Sequence, residues 1–135
     1  MNYHVTKREN PLNRQESLFY PQPEWGKMIS EEELAEEISY ASSINAPDIR
    51  AVITSLKELI PRHTMAGDTV KLDNFGIFRQ SFEARGKAKE EDVNSSDILN
   101  SKLLFRPAVA IKNKLKATIY KKVAAAKKEV AEPTD

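Results

Sequence analysis

The chain has no cysteine among its 135 residues. Disulfide cross-links and thiolate metal sites are therefore excluded, and the composition suits a reducing cytoplasm. It lacks any apolar run of about 18 residues, the length a membrane-spanning helix needs. The opening residues, MNYHVTKREN, lack the continuous apolar segment of a secretory signal. A cytoplasmic location is expected on those grounds. Glycine is scarce: the four glycines stand singly at 26, 67, 76 and 86, so no glycine-rich phosphate loop can form. His4 and His63 are the only histidines, with no spacing that suggests a triad or a metal site. The glutamates at 31–33 and 36–37 read as a capped, solvated helix face and not as a carboxylate pair for acid–base work. No enzyme, cofactor, metal or small-molecule substrate is expected.

What is present is charge, and it is segregated. The formal net charge is only +1. Residues 30–58 nevertheless carry seven acidic and two basic side chains, while residues 102–128 carry nine basic and no acidic ones. A local excess of that size points to a polyanionic partner or to a solvated lysine-rich face.

Hydrophobic periodicity gives the organisation. Residues 1–29 hold three of the seven prolines and read as an extension with one or two strands. Tyr3 to Thr6 suits a strand, and Asn10-Pro11-Leu12-Asn13 a turn. Ser30 followed by three glutamates is the signature of a helix N-terminus, with Leu34, Ile38 and Ala41 as the apolar stripe. After the turn Asn45-Ala46-Pro47-Asp48, with Asp48 as a possible cap, a second helix places Ile49, Val52, Ile53, Leu56, Leu59 and Ile60 on one face. Pro61 should kink or break it, because proline removes an amide donor and crowds the preceding turn. Val70 and Leu72 begin a strand. Asp73-Asn74-Phe75-Gly76 interrupts it, and alternation resumes from Ile77. Residues 86–100 are polar without periodicity. Residues 102–106 read as a third strand, ended by Pro107, which suits the first turn of a last helix. The apolar face of that helix would be Ala108, Ile111, Leu115, Ile119 and Val123. The domain is expected over residues 30–128, with a flexible tail at 129–135. Two short helices and three strands bury little surface, so Phe75, Phe78, Phe82, Leu104 and Phe105 need cover, which argues for an obligate dimer over the alternative of a large monomer core.

Two segments resemble a known family. Gly67-Asp68 followed by Val70-Lys71-Leu72-Asp73-Asn74-Phe75-Gly76-Ile77-Phe78 is similar to the "GD…V.L..FG.F" run of the bacterial histone-like HU/IHF proteins. Phe105-Arg106-Pro107-Ala108 leading into Lys112-Asn113-Lys114-Leu115-Lys116 resembles the start of that family's third helix. The distance between the two segments matches the family's β-arm, and the extra N-terminal segment is similar to the longer HU-HIG-type branch. The resemblance implies an α+β fold: an intertwined homodimer with a helical base of two N-terminal helices and one C-terminal helix, and a three-stranded antiparallel sheet extended into a β-arm at about residues 79–106. It implies core and dimer-interface roles for Phe75, Phe78, Phe82 and Phe105, with Gly76 permitting the tight bend between strands. It also implies an architectural DNA-binding protein of the nucleoid.

Two departures qualify those implications. The family's arm tip usually carries an Arg-Asn-Pro motif whose proline wedges between base pairs, but no proline lies between Phe78 and Pro107. The corresponding region, residues 89–97, instead contains Glu90, Glu91, Asp92 and Asp97. The phenylalanine at the start of the family's third helix is Val109 here. Sharp kinking by intercalation therefore does not follow. The leading expectation is sequence-tolerant binding of double-stranded DNA through Arg79, Arg85, Lys87 and Lys89 on the arm, and Lys102, Arg106, Lys112 and Lys114 near the third helix. The alternative is an HU-like dimeric module for protein interaction or assembly, with Tyr20 and Trp25 as anchors. A helix-turn-helix reading of the first two helices is disfavoured, because the candidate recognition helix is mostly apolar.

Overall fold

A computed structural model describes residues 1–125. The described residues divide into two compact units, residues 29–116 and residues 1–28 with 117–125.

In the larger unit, α1 spans Glu31–Ala41 and α2 spans Ala46–Met65. Ser30 caps α1, its Oγ accepting from the Glu33 amide at 3.1 Å. The cap of α2 is Asn45, not Asp48. The Asn45 side-chain oxygen accepts from the Asp48 amide at 2.9 Å, and its Nδ2 donates to Asp48 Oδ2 at 2.8 Å. Pro61 does not break α2, which continues to Met65. The last turn is held by its C-terminal cap instead. The Gly67 amide donates to the Thr64 carbonyl at 3.0 Å and the Asp68 amide to the His63 carbonyl at 3.1 Å. This is a Schellman arrangement, and it requires the left-handed backbone that Gly67 adopts at φ 93°. The Gly67-Asp68 pair of the sequence is thus a helix stop. Ala35 and Ile49 are the buried hydrophobic residues of the helices. The expected stripe on α1 is offset: Leu34 and Ile38 remain 47% and 44% exposed.

Strands β3 (Val70–Leu72), β4 (Gly76–Ala84) and β5 (Ile98–Pro107) form an antiparallel sheet in that order. The third strand begins four residues before the expected 102, because pairing runs out to Ala84 opposite Ile98. Between Leu72 and Gly76 the chain reverses with the Phe75 amide donating to the Leu72 carbonyl at 3.1 Å. The left-handed residue of this turn is Asn74, at φ 60°, and asparagine tolerates that region better than most. Gly76 therefore serves a purpose other than the expected bend. It lies against β5 so closely that an added Cβ would stand 2.4 Å from Phe105 Cε2 and 2.5 Å from the Arg106 carbonyl oxygen. Helix α3 follows at Val109–Lys116, and the Ala108 amide just before it donates to the Phe75 carbonyl at 2.8 Å.

The expected continuation of the last helix through Ile119 and Val123 is not realised. Helix α3 ends at Lys116, and Lys121–Lys122 form a short strand, β6. In the smaller unit β1 (Asn2–Asn10) and β2 (Asn13–Pro23) make an antiparallel hairpin, and β6 pairs parallel with β1 to give the order β2-β1-β6. The extension's turn falls at Pro11-Leu12, as its composition suggests. The expected tail of residues 129–135 lies outside the described residues, as do residues 126–128.

The close approach at Gly76 makes a sharp test. Gly76→Ala should lower stability by about 1–3 kcal/mol through overpacking. Gly26→Ala, where an added Cβ meets nothing within 4 Å, should stay within about 0.5 kcal/mol. Urea unfolding midpoints of the two variants would check the contrast.

Candidate nucleic-acid interface

Strand pairing sorts the side chains of the larger sheet onto two faces, since residues directly opposite share a face. Val70, Phe78 and Phe105 form one row, and Lys71, Ile77 and Arg106 the next. The first row belongs to an aromatic cluster. Phe78 and Phe105 have ring centroids 4.8 Å apart, Phe75 and Phe105 5.2 Å, and Phe75 and Phe78 6.4 Å. Offset and tilted pairs at these distances are favourable. Phe82 lies outside the cluster, opposite Ser101 and half exposed.

The other face carries the cations. Arg79 pairs with Leu104 and Ser81 with Lys102 across β4 and β5. Together with the Lys71–Ile77–Arg106 row, this places Lys71, Arg79, Lys102 and Arg106 around Ile77 and Leu104. A shallow depression of about 250 Å³ lies among Ile77, Arg79, Leu104, Phe105, Arg106 and Pro107. Lys71 was not among the residues singled out from the sequence. Its signal was there, because a lysine between Val70 and Leu72 must face away from both.

The eight candidate cations differ in how free they are. Arg79, Lys89, Arg106, Lys112 and Lys114 make no ion pair among the described residues. Lys102 pairs with Glu83. Arg85 Nε and Lys87 Nζ lie 3.3 and 3.5 Å from the same Asp97 oxygen. Lys112 and Lys114 are not brought together, since residues two apart on a helix point to different sides. The end of the hairpin also differs from an extended arm. Residues 85–97 fold back through two single turns of 3-10 helix, Glu90–Asp92 and Ser95–Asp97. Glu90, Glu91 and Asp92 are exposed there.

Hydrogen bonds from Lys102 and then from Asn100 hold the Glu83 carboxyl below the usual carboxylate range. Among the described residues no cluster of His, Cys, Asp and Glu could hold a metal, and no helix is long and apolar enough to cross a membrane.

The family described as HU-HIG, an HU domain fused to a wHTH, Ig or glycine-rich motif, matches residues 1–122. Curated proteins give no match. Among solved structures, a Bacteroides vulgatus protein described as a bacterial DNA-binding protein aligns with a TM-score of 0.64 at 13% identity. The alignment covers 93% of this chain and 49% of that one, so this chain spans about half the length of that relative. The Anabaena HU–DNA cocrystal structure aligns with a TM-score of 0.52 at 20% identity, covering 67% of this chain and 100% of the HU chain. Both likenesses are of fold.

The depressed Glu83 carboxyl gives a pH prediction. A group whose folded pKa lies below its unfolded value stabilises above the unfolded pKa and loses that effect as pH falls through the folded one. Glu83→Gln should therefore lower the melting temperature slightly at pH 7. The difference from wild type should vanish once the pH falls well below the ordinary carboxylate value of 4.5, as thermal melts at both pH values would show. The family match over residues 1–122 includes both the hairpin extension and the sheet with its basic face: this chain belongs to the HU-HIG family of HU-domain proteins.

Proposed function

We propose that the protein binds double-stranded DNA with little regard for sequence, as a homodimer in the bacterial nucleoid. The observation that carries this reading is the basic face of the sheet, where Lys71, Arg79 and Arg106 surround Ile77 and Leu104 on the side opposite the aromatic cluster. Such a face neutralises phosphates through charge density and needs no fixed contacts to base edges. Lys89 beyond it, and Lys112 or Lys114 on α3, add phosphate contacts. Lys102 contributes after exchanging Glu83 for phosphate. No proline lies between Phe78 and Pro107 to serve as a wedge, so this reading rests on contacts to the duplex backbone and requires no sharp kink. That an HU chain of the same fold has been crystallised with DNA supports the reading.

The dimer rests on the apolar surface that one chain leaves bare. Ala35 and Ile49 are its buried hydrophobic residues, whereas Leu34, Val52, Phe75, Leu103 and Phe105 are all more than a third exposed. Exposed apolar side chains in this number favour a partner that covers them. A second copy, bringing the same faces, would cover it symmetrically.

A second reading, an HU-like module for protein assembly, is favoured by one observation. In the smaller unit an apolar groove of about 720 Å³ is lined by Tyr3, Val5, Phe19, Pro21, Pro23 and Tyr120, among others. The two readings separate in one experiment, a salt-titrated gel shift on a linear duplex.

For about six neutralised phosphates, the log–log salt dependence of affinity should have a slope near −5. Arg79→Ala/Arg106→Ala should reduce it by about 2 units. No shift of the duplex even at low salt would discard the DNA reading in favour of assembly. On the same sample, light scattering should give twice the 15.3 kDa chain mass. Phe105→Ala should destabilise the dimer by about 3–5 kcal/mol if the ring is buried between copies. Its melting temperature should become more dependent on protein concentration.

A further inference from the structure

The hairpin end contains a buried carboxylate that the DNA-binding face does not use. The Asp97 side chain is only 3% exposed. Its Oδ1 accepts from Arg85 Nε at 3.3 Å and lies 3.5 Å from Lys87 Nζ, and its Oδ2 accepts from the Asn94 amide at 3.1 Å. The backbone closes the same knot, with the Arg85 amide donating to the Asp97 carbonyl at 2.8 Å and Arg85 Nη2 to the Ser96 carbonyl at 3.5 Å. The Asn94 side chain in turn accepts from the Ser96 amide at 2.9 Å. An ionised carboxylate is tolerable at this burial only because charged and polar donors satisfy both oxygens.

This arrangement has a consequence for phosphate binding, and it rests on the DNA-binding reading above. A cation contributes to affinity when it neutralises a phosphate and releases a counterion. Arg79 and Arg106 are free to do so at once. Arg85 and Lys87, whose side chains are 56% and 38% exposed, can do so fully only by giving up Asp97, which would then keep the Asn94 amide but lose both cations that compensate its charge. Glu90, Glu91 and Asp92, exposed on the same loop, add repulsion to any duplex that reaches this far. We propose that Asp97 is the residue that ends the DNA interface. By clamping Arg85 and Lys87 it withholds the hairpin end from phosphates and confines binding to the basic face of the sheet. The two cations are a latent extension of that interface, kept closed by one carboxylate.

Fluorescence anisotropy on a short linear duplex, titrated with salt, tests this in the full chain. Asp97→Asn keeps an oxygen acceptor for Asn94 but removes the charge that holds the two cations. It should bind roughly tenfold more tightly at low salt, with a slope steeper by about 2 units, as expected for two additional phosphate contacts. Adding Arg85→Ala and Lys87→Ala to Asp97→Asn should abolish the gain. Asp92→Asn makes the same change in net charge on the same loop, and an equal gain there would overturn the clamp in favour of a simple charge effect. A wild-type protein that binds with a salt dependence that Asp97→Asn does not alter would also overturn it, leaving the DNA reading intact. If neither protein binds the duplex at low salt, the DNA reading itself fails and takes the clamp with it. A measurement on the unmodified chain guards against loop distortion in the variant. In NMR spectra of wild type saturated with duplex, the Arg85 Nε–H resonance should stay in place while those of Arg79 and Arg106 move. A comparable movement of Arg85 would sink the proposal.

Discussion

The 2.8 Å hydrogen bond from the Ala108 amide to the Phe75 carbonyl is the constraint on which the larger unit depends. It ties the turn between β3 and β4 to the junction between β5 and α3, two segments more than thirty residues apart in sequence. Because the bond is between backbone groups, it fixes how closely the chains approach. Only a residue without a Cβ fits at position 76, beside the Phe105 ring and the Arg106 carbonyl. The bond, the glycine and the three rings satisfy one another. The closeness allows Phe75, Phe78 and Phe105 to gather on one side of the sheet. Strand alternation then obliges Arg79 and Arg106 to stand on the other. The basic face is thus a geometric consequence of the aromatic one.

The parts of this that could be read from the sequence are those carried by local rules. Alternation at Val70 and Leu72, the serine cap of α1 and the glycine stop after α2 are each decided within a few residues. Each appears in the structure as its side-chain chemistry requires. Expectation and structure part where a distant partner decides. Ile119 and Val123 continue a helical period after Ala108, Ile111 and Leu115, yet residues 121–122 pair with β1 at the other end of the sequence. Periodicity cannot register a competing strand. Pro61 is tolerated within α2 for the converse reason, since one missing amide bond matters less when Gly67 and Asp68 cap the following turn. Gly76 is expected to permit the bend between strands, and the structure gives it a different role. The positive φ belongs to Asn74, and the glycine answers to steric crowding from a strand that the local sequence does not contain.

Charge was the least legible property, because a count of lysines and arginines does not say which are already spent. Among the described residues, Lys57 is paired with Glu31, Lys71 with Asp73 at 3.8 Å, Lys102 with Glu83, and both Arg85 and Lys87 with Asp97. These pairs are not equivalent. Glu83 and Lys102 are both about half exposed, so water screens them and the pair can exchange partners at little cost. Asp97 is almost wholly enclosed, and a carboxylate there constrains its partners far more strongly. The near-neutral composition therefore conceals an unequal distribution. The sheet face holds cations without strong partners, and the hairpin end holds cations committed to a buried anion.

The proposed dimer and the proposed DNA interface are consequently not independent functions of separate surfaces. Strands β4 and β5 carry both, with the rings on one face and the arginines on the other. Any loss of order in the aromatic cluster would release the register that aligns Arg79 with Leu104 and Ile77 with Arg106. Phosphate binding to the basic face would stabilise the ordered sheet in turn, since a ligand that prefers the folded assembly shifts the equilibrium toward it. In that coupling a half-exposed phenylalanine such as Phe75 has a clear place. It is apolar surface that one chain cannot cover, held at the turn where the sheet's geometry is set, and its burial by a second copy would fix the cations across the strand from it.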